Sequence, residues 1–117
     1  KPIPIGGFAR HEGDKFYEVT PDVPGNPWFI TTLWMMQYDI ANAKTEVELK
    51  KIGSEFEWVV KHSLPSGILS EQIHPLTGEQ LSVAPLTWSH AEFVLTVIAY
   101  LERAEALGLC EACYPVK

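Results

Sequence analysis

Apolar residues occur along the 117-residue chain in three stretches, and the middle stretch differs in kind from the other two. From residue 28 to residue 43 the sequence is apolar on nearly every face of a helix, and between residues 91 and 101 only Glu92 and Thr96 are polar. A helix that is apolar all round is typical of a position buried on every side. The pattern therefore predicts two buried helices, one over residues 28–43 and one from about residue 87 to about residue 107.

The middle stretch predicts an amphipathic helix over residues 45 to about 62, with charged residues on the side facing water. Its apolar stripe is assigned to Val47, Ile52, Phe56, Val59 and Val60. Thr45 and Glu48 have the spacing of a capping box at its start. We expect Asn26 to cap the first helix, with Pro27 at the first helical position. Gly108 is expected to end the third helix.

The order of a buried, an amphipathic and a buried helix predicts an all-α fold in two layers. Three long helices cannot cover each other on every side, so we expect the chain to be part of a larger domain. Residues 1–25 are rich in Gly, Pro and Asp and predict an ordered loop, with a short strand at residues 16–19. No internal repeat is evident.

Charge excludes some classes of partner. A net charge of −6 and a pI of about 5.1 argue against nucleic acid and against an anionic membrane surface. No apolar run reaches the ~18 residues expected of a membrane span. The N-terminus has no signal pattern. Because the sequence does not begin with Met, the compartment stays open, with the cytoplasm favoured.

Cys110 and Cys113 form a C-x-x-C pair near the C-terminus. A structural zinc site needs four ligands, and the sequence has no second such pair. We therefore predict no metal site and favour two free thiols in a terminal tail. A disulfide, or a metal shared with another chain, remains an alternative.

The candidate chemistry lies in a loop punctuated by Gly and Pro, where Glu71 stands between Ser70 and Gln72. Loops held by rigid helices commonly carry catalytic side chains. Aromatic residues precede this loop, and Arg10 lies in a polar cluster at residues 10–14. Aromatic faces, a carboxylate and an Arg suit a sugar site, because they supply ring stacking, acid–base chemistry and directed hydrogen bonds.

Four segments occur in an order that resembles the C-terminal third of a glucoamylase-type glycoside hydrolase of family fifteen, whose relatives include glucodextranases and trehalases. They are residues 25–29 (GNPWF), 70–72 (SEQ), 81–82 (LS) and 86–91 (LTWSHA). The resemblance extends over about residues 6 to 101. It implies that residues 1–117 are the C-terminal segment of an (α/α)6 double-ring barrel, with three long helices and functional loops.

The resemblance also implies roles for individual residues. Glu71 would be the general base of an inverting hydrolysis, with Ser82 donating a hydrogen bond to it and Gln72 supporting it. Arg10, Trp28 and, at the start of the third helix, Trp88 would contact the sugar. The general acid would lie upstream of this chain, because the Glu residues at 46, 48, 55 and 57 resemble a hydrated helix face. No cofactor is implied, although relatives sometimes carry structural calcium.

Each role has a plainer alternative. Glu71 could be a solvent-facing loop residue, and Arg10 could pair with Glu12 or Asp14. We do not transfer a sugar-binding role to those two acidic residues. The tryptophans could be core residues, since a Trp buries ~150–250 Å² with or without a ligand. Four further residues are expected in the core, namely Trp34, Met35, Met36 and Trp58. His90 is expected to be a core or supporting residue, and His74 to be solvated.

The first functional hypothesis is thus an inverting glycoside hydrolase that releases glucose from the non-reducing ends of α-linked glucans or oligosaccharides. The N-terminal remainder of the catalytic domain would be its partner, and this segment alone would be inactive. The alternative is a catalytically silent, hydrolase-like binding or regulatory module. A third and weaker hypothesis is a freestanding helical interaction protein, which would expose large apolar patches.

Overall fold

The computed structural model of the protein describes residues 2–111 and 113. Its elements, in chain order, are α1 (Phe29–Asn42), α2 (Glu46–His62), β1 (Gln72–Ile73), β2 (Gln80–Leu81) and α3 (Thr87–Ala106). The prediction of a mostly helical chain is confirmed. The strands form a small antiparallel hairpin that was not predicted, with Gln72 opposite Leu81.

The core lies between α1 and α3, with α2 packed against both. It is centred on Phe29, Leu33, Met36 and Ile40 of α1, which follow the helical spacing of one face. Where α2 meets α3, a Cβ on Gly53 would come within 2.7 Å of the Tyr100 hydroxyl. A glycine here therefore allows the two helices to approach closely.

The sequence correctly predicted the start of α2 and the end of α3. Thr45 and Glu48 form both hydrogen bonds of the capping box at the start of α2. After α3, the N–H of Leu109 donates to Ala104 O and the N–H of Gly108 donates to Glu105 O, each at 2.9 Å. With a positive φ of 72° at Gly108, this pair of bonds is a Schellman motif.

The predicted cap of α1 is wrong. The helix begins at Phe29 after Trp28, with no side chain capping it, and the Asn26 side chain bonds elsewhere. The predicted strand at residues 16–19 is also wrong, because these residues form turns and bends. Instead, Trp28 makes single antiparallel bridges to Phe8 on one side and Gln72 on the other.

The predicted apolar stripe of α2 needs three corrections. In α2, Val47 and Val60 are exposed, and Leu49 joins the buried residues. Val47 lies about 140° around the helix from Ile52, at 3.6 residues per turn, and so cannot share its face.

Neither α1 nor α3 is buried all round. Exposed large apolar residues on the two helices are Trp34, Met35, Tyr38, Trp88, Val94 and Leu95. Trp34 and Met35 are thus not core residues, whereas Met36 is buried and Trp58 packs edge-on against Phe29. Within residues 2–111 and 113, one amphipathic helix is too little to cover both apolar helices.

The prediction of two free thiols is wrong, and the alternative of a disulfide is found. Cys110 and Cys113 form a disulfide with their Cα atoms 5.8 Å apart. Both pack against the core after the turn that ends α3. Among residues 2–111 and 113, no helix has both the length and the apolar character needed to cross a membrane.

Candidate active site

The main chain of Glu71 is held from two sides. Its N–H donates to the carbonyl oxygen of Val83 at 2.9 Å, and its own carbonyl oxygen accepts the N–H of Phe29 at 3.3 Å. The first bond ties Glu71 to the segment that follows β2, and the second ties it to the start of α1. The half-buried side chain therefore projects from a fixed backbone.

The Glu71 carboxylate receives two donors on one oxygen. The Ser82 hydroxyl donates to Oε2 at 2.6 Å, and Gln72 Nε2 donates to the same atom at 3.1 Å. Within the described residues, no hydrogen bond reaches Oε1. Ser82 has a φ of 64°, a left-handed backbone that few non-glycine residues adopt and that tends to occur at functional sites. The arrangement fixes Oε2 and leaves Oε1 able to accept a proton.

Gln72 links Glu71 to Asn26. The Gln72 side chain is fully buried, and its Oε1 accepts Asn26 Nδ2 at 2.9 Å. Asn26 Nδ2 also donates to the carbonyl oxygen of Tyr17 at 2.8 Å. The loop before α1 and the loop before β1 are thus joined by buried amides.

Arg10 is gripped by Asp14 and stacked on aromatic rings. Its Nε and Nη2 donate to the two Asp14 oxygens, each at 2.7 Å, in a bidentate ion pair. The guanidinium lies over the Trp28 ring at 4.4 Å and over the Phe16 ring at 5.0 Å, measured to the centroids. Arg10 thus pairs with Asp14 and not with Glu12, the two alternatives that the sequence left open.

The electrostatics follow from this geometry. The hydrogen bonds from Arg10 lower the pKa of the Asp14 carboxyl, and the N–H of Phe16 adds to the effect. The same ion pair raises the pKa of Arg10, with a smaller contribution from the negative charge of Glu71. Arg10 and Glu71 are therefore close enough to interact electrostatically. Asp14 is held ionised, so it is unsuited to donate a proton as a general acid.

The two tryptophans lie in different surroundings. Trp28 is 4% exposed, because Arg10 and Phe16 cover it, and its Nε1 has no described partner. It packs beneath Arg10 rather than offering an open face to a sugar. Trp88 is 49% exposed and contacts Trp34 and Glu92. Within the described residues it shares no hydrogen bond or ring contact with Glu71 or Arg10.

The start of α3 supports the Glu71 loop. The Ser89 hydroxyl donates to Ser70 O at 2.7 Å, and the N–H of Leu69 donates to His90 Nε2 at 3.1 Å. His90 thus has a supporting position. His74 is half-buried, and its Nδ1 accepts N–H groups in the hairpin turn.

The sequence did not indicate that Asn26 belongs to the site, and it left open whether Asp14 or Glu12 pairs with Arg10. The sequence around Asn26 is misleading, because Asn before Pro is expected to cap a helix. In the structure Asn26 bonds instead to Gln72, 46 residues away. Asp14 lies four residues after Arg10, but nothing in that spacing distinguishes it from Glu12.

Two open depressions lie along the loop that carries Arg10. A groove of about 470 Å³ lies along residues 2–12 and Pro24, and Glu71 does not line it. A depression of about 220 Å³ beside Arg10 is lined by Phe8, Trp34 and Met35 among others. No group of three candidate metal ligands occurs within the described residues.

Comparison with known proteins gives a family. The model of glycosyl hydrolases family 15 matches residues 10–98. An uncharacterized glycosyl hydrolase of Methanocaldococcus jannaschii is 35% identical over 102 residues. That alignment covers 80% of this chain and 15% of the relative, so the chain spans a small part of the relative's length. No solved structure gives a significant match.

Proposed function

Because this chain belongs to the glycosyl hydrolases of family 15, we propose that it is the segment of an inverting glycoside hydrolase that carries the general base, Glu71. The observation that carries the proposal is the pair of donors on one oxygen of its carboxylate. The two donors hold one oxygen in place and leave the other free to take a proton from water, which is the geometry that a general base needs. The substrate class would be α-linked glucans or oligosaccharides, with glucose released from the non-reducing end.

In this reaction Glu71 Oε1 accepts a proton from water while the water oxygen attacks the anomeric carbon. The bond from that carbon to the leaving oxygen breaks, and a second carboxylic acid protonates the leaving oxygen. Ser82 and Gln72 hold the other oxygen of Glu71, so the acceptor atom keeps one direction. Arg10, fixed by Asp14, presents its remaining guanidinium N–H groups to sugar hydroxyls.

The general acid would come from a preceding part of the same protein. Asp14 is the carboxylate paired with Arg10, and its lowered pKa makes it a poor acid. The 15% coverage of the relative supports a longer catalytic domain. So do the exposed apolar residues of α1 and α3, which further helices of an (α/α)6 double ring would cover.

The test uses the full-length protein that contains this chain, with Glu71→Gln as the variant. Because a general base contributes about 10²–10⁴-fold, kcat for glucose release should fall by that factor. Maltooligosaccharides, isomaltooligosaccharides and trehalose would identify the linkage, and NMR of the first product should show the inverted anomer. Glu79→Gln is the matched control, because Glu79 is an exposed carboxylate in the same hairpin.

Two results would contradict the proposal. Glucose release by Glu71→Gln at the wild-type rate would remove Glu71 as the base. A wild-type protein that binds these sugars without cleaving any of them would favour the silent binding module instead.

A further inference from the structure

We propose that Asn26 is a positioning residue that orients the general base through the amide of Gln72. The inference rests on the proposed function of Glu71. Asn26 donates to Gln72, and Gln72 donates to Glu71 Oε2. Asn26 therefore acts on the base without touching it.

Two hydrogen bonds, from Asn26 to Gln72 and from Gln72 to Glu71, form a relay whose direction is fixed at the Asn26 end. A backbone carbonyl can only accept a hydrogen bond, so the Asn26 atom that faces Tyr17 O must be the amide nitrogen. The same nitrogen faces Gln72, so the Gln72 atom opposite it must be the oxygen. The Gln72 nitrogen is then turned toward Glu71. The Tyr17 carbonyl thus determines that Glu71 meets a donor and not a second oxygen.

Burial makes the relay costly to break. Asn26 is 2% exposed and Gln72 is fully buried, so water cannot replace a lost partner. The surrounding backbone is joined in the same place, since the N–H of Ile73 donates to Pro27 O at 2.9 Å. Each amide therefore keeps one orientation as long as Asn26 is present.

The unused helix cap is independent support. Asn followed by Pro is a favourable start for a helix, yet α1 begins three residues after Asn26 with no side-chain cap. The Asn26 side chain is engaged with Tyr17 and Gln72 instead. Asn26 thus gives up a stabilising bond to its own helix and bonds to Gln72, 46 positions away. This choice points to a function for Asn26 at Gln72.

Asn26→Asp in the full-length protein should reverse the direction of these hydrogen bonds, with almost no change in the shape of the side chain. A carboxylate at position 26 has no donor for Gln72 Oε1, so the Gln72 amide turns over to donate to it. The Gln72 oxygen then faces Glu71 Oε2. Because Glu71 Oε2 loses one of its two donors and the carboxylate is no longer held in one direction, kcat for glucose release should fall.

The expected fall in kcat is about 10-fold or more, the size of one lost hydrogen bond to a charged acceptor. KM should change little. Asn26→Leu is the neutral second variant, since it removes the donor without adding a charge and should lower kcat in the same way. It also keeps the proposal testable if Asn26→Asp does not fold.

Thr32→Val is the matched control. Thr32 is a buried polar residue whose hydroxyl donates to Trp28 O at 2.7 Å and accepts the N–H of Phe8, but it does not touch the relay. Its loss should lower stability and leave kcat unchanged.

The outcomes separate the two proposals. A wild-type kcat in every Asn26 variant that folds would overturn the positioning role. The same result with Glu71→Gln inactive would leave the proposed function standing. Glucose release by Glu71→Gln would instead remove the proposed function itself.

Discussion

Replacing Asp14 by Asn tests the ion pair that holds Arg10. The Asp14 side chain is 2% exposed and accepts both guanidinium bonds and the N–H of Phe16, whereas Arg10 is 37% exposed. Exposed ion pairs contribute ~0.2–1 kcal/mol, and breaking a buried pair costs ~3–5 kcal/mol. Because one partner is buried and the other is partly solvated, we expect Asp14→Asn to lower the free energy of unfolding by about 1–3 kcal/mol at pH 7.

The pH dependence of this loss follows from the lowered pKa of Asp14. A carboxyl whose pKa is lower in the folded state contributes stability above its ordinary pKa, which is about 4. That contribution is lost as the pH falls through the folded value. The difference in free energy of unfolding between wild type and Asp14→Asn should therefore be full at pH 7 and shrink below about pH 4.

Urea unfolding of the full-length protein, followed by tryptophan fluorescence at several pH values, measures this difference. Glu12→Gln is the control in the same loop, because Glu12 is an exposed side chain and such changes usually stay within about 0.5 kcal/mol. A difference for Asp14→Asn that is absent at pH 7, or that persists unchanged at pH 3, would refute the reasoning.

Three further substitutions have defined outcomes. Ser82→Ala removes the 2.6 Å bond to Glu71 and should lower kcat for glucose release about 10-fold or more, measured beside a circular dichroism check of folding. Gly7→Ala adds a Cβ 2.6 Å from the Trp58 ring at a φ of +76°, so its midpoint in urea should fall by the equivalent of at least about 1–3 kcal/mol. Thr45→Ala removes the cap of α2 and should cost about 1 kcal/mol in the same assay, with no change in KM.

Local signals in the sequence predicted the helix ends that depend only on neighbours. The capping box at Thr45 and the stop at Gly108 are complete within a few residues, so the sequence pattern contains the whole interaction. Asn26 shows where this fails, because its local pattern is that of a cap and its partner Gln72 is far away in the chain. The predicted burial of Val47 was wrong for a different reason, because helical geometry alone places it about 140° around the helix from Ile52.

The candidate site was predictable in part. The resemblance brought Glu71 and Ser82 to one motif, and the structure places them 2.6 Å apart. Spacing could not choose between Glu12 and Asp14 for Arg10, because both lie within reach of Arg10 in the same loop. Nor could it show that Arg10 would cover Trp28, which depends on how residues 2–27 fold back on the start of α1.

The bonds that hold Glu71 also bear on the order in which the protein folds. Those that orient its side chain join residues 1, 11 and 46 positions apart, and another ties its loop to α3 across 21 positions. Closing a longer loop costs more entropy, so contacts between distant residues tend to form after local ones. We therefore expect α2, with its self-contained cap, to form early and the support of the carboxylate to close late. During synthesis, α2 would therefore be helical before the support of Glu71 is in place.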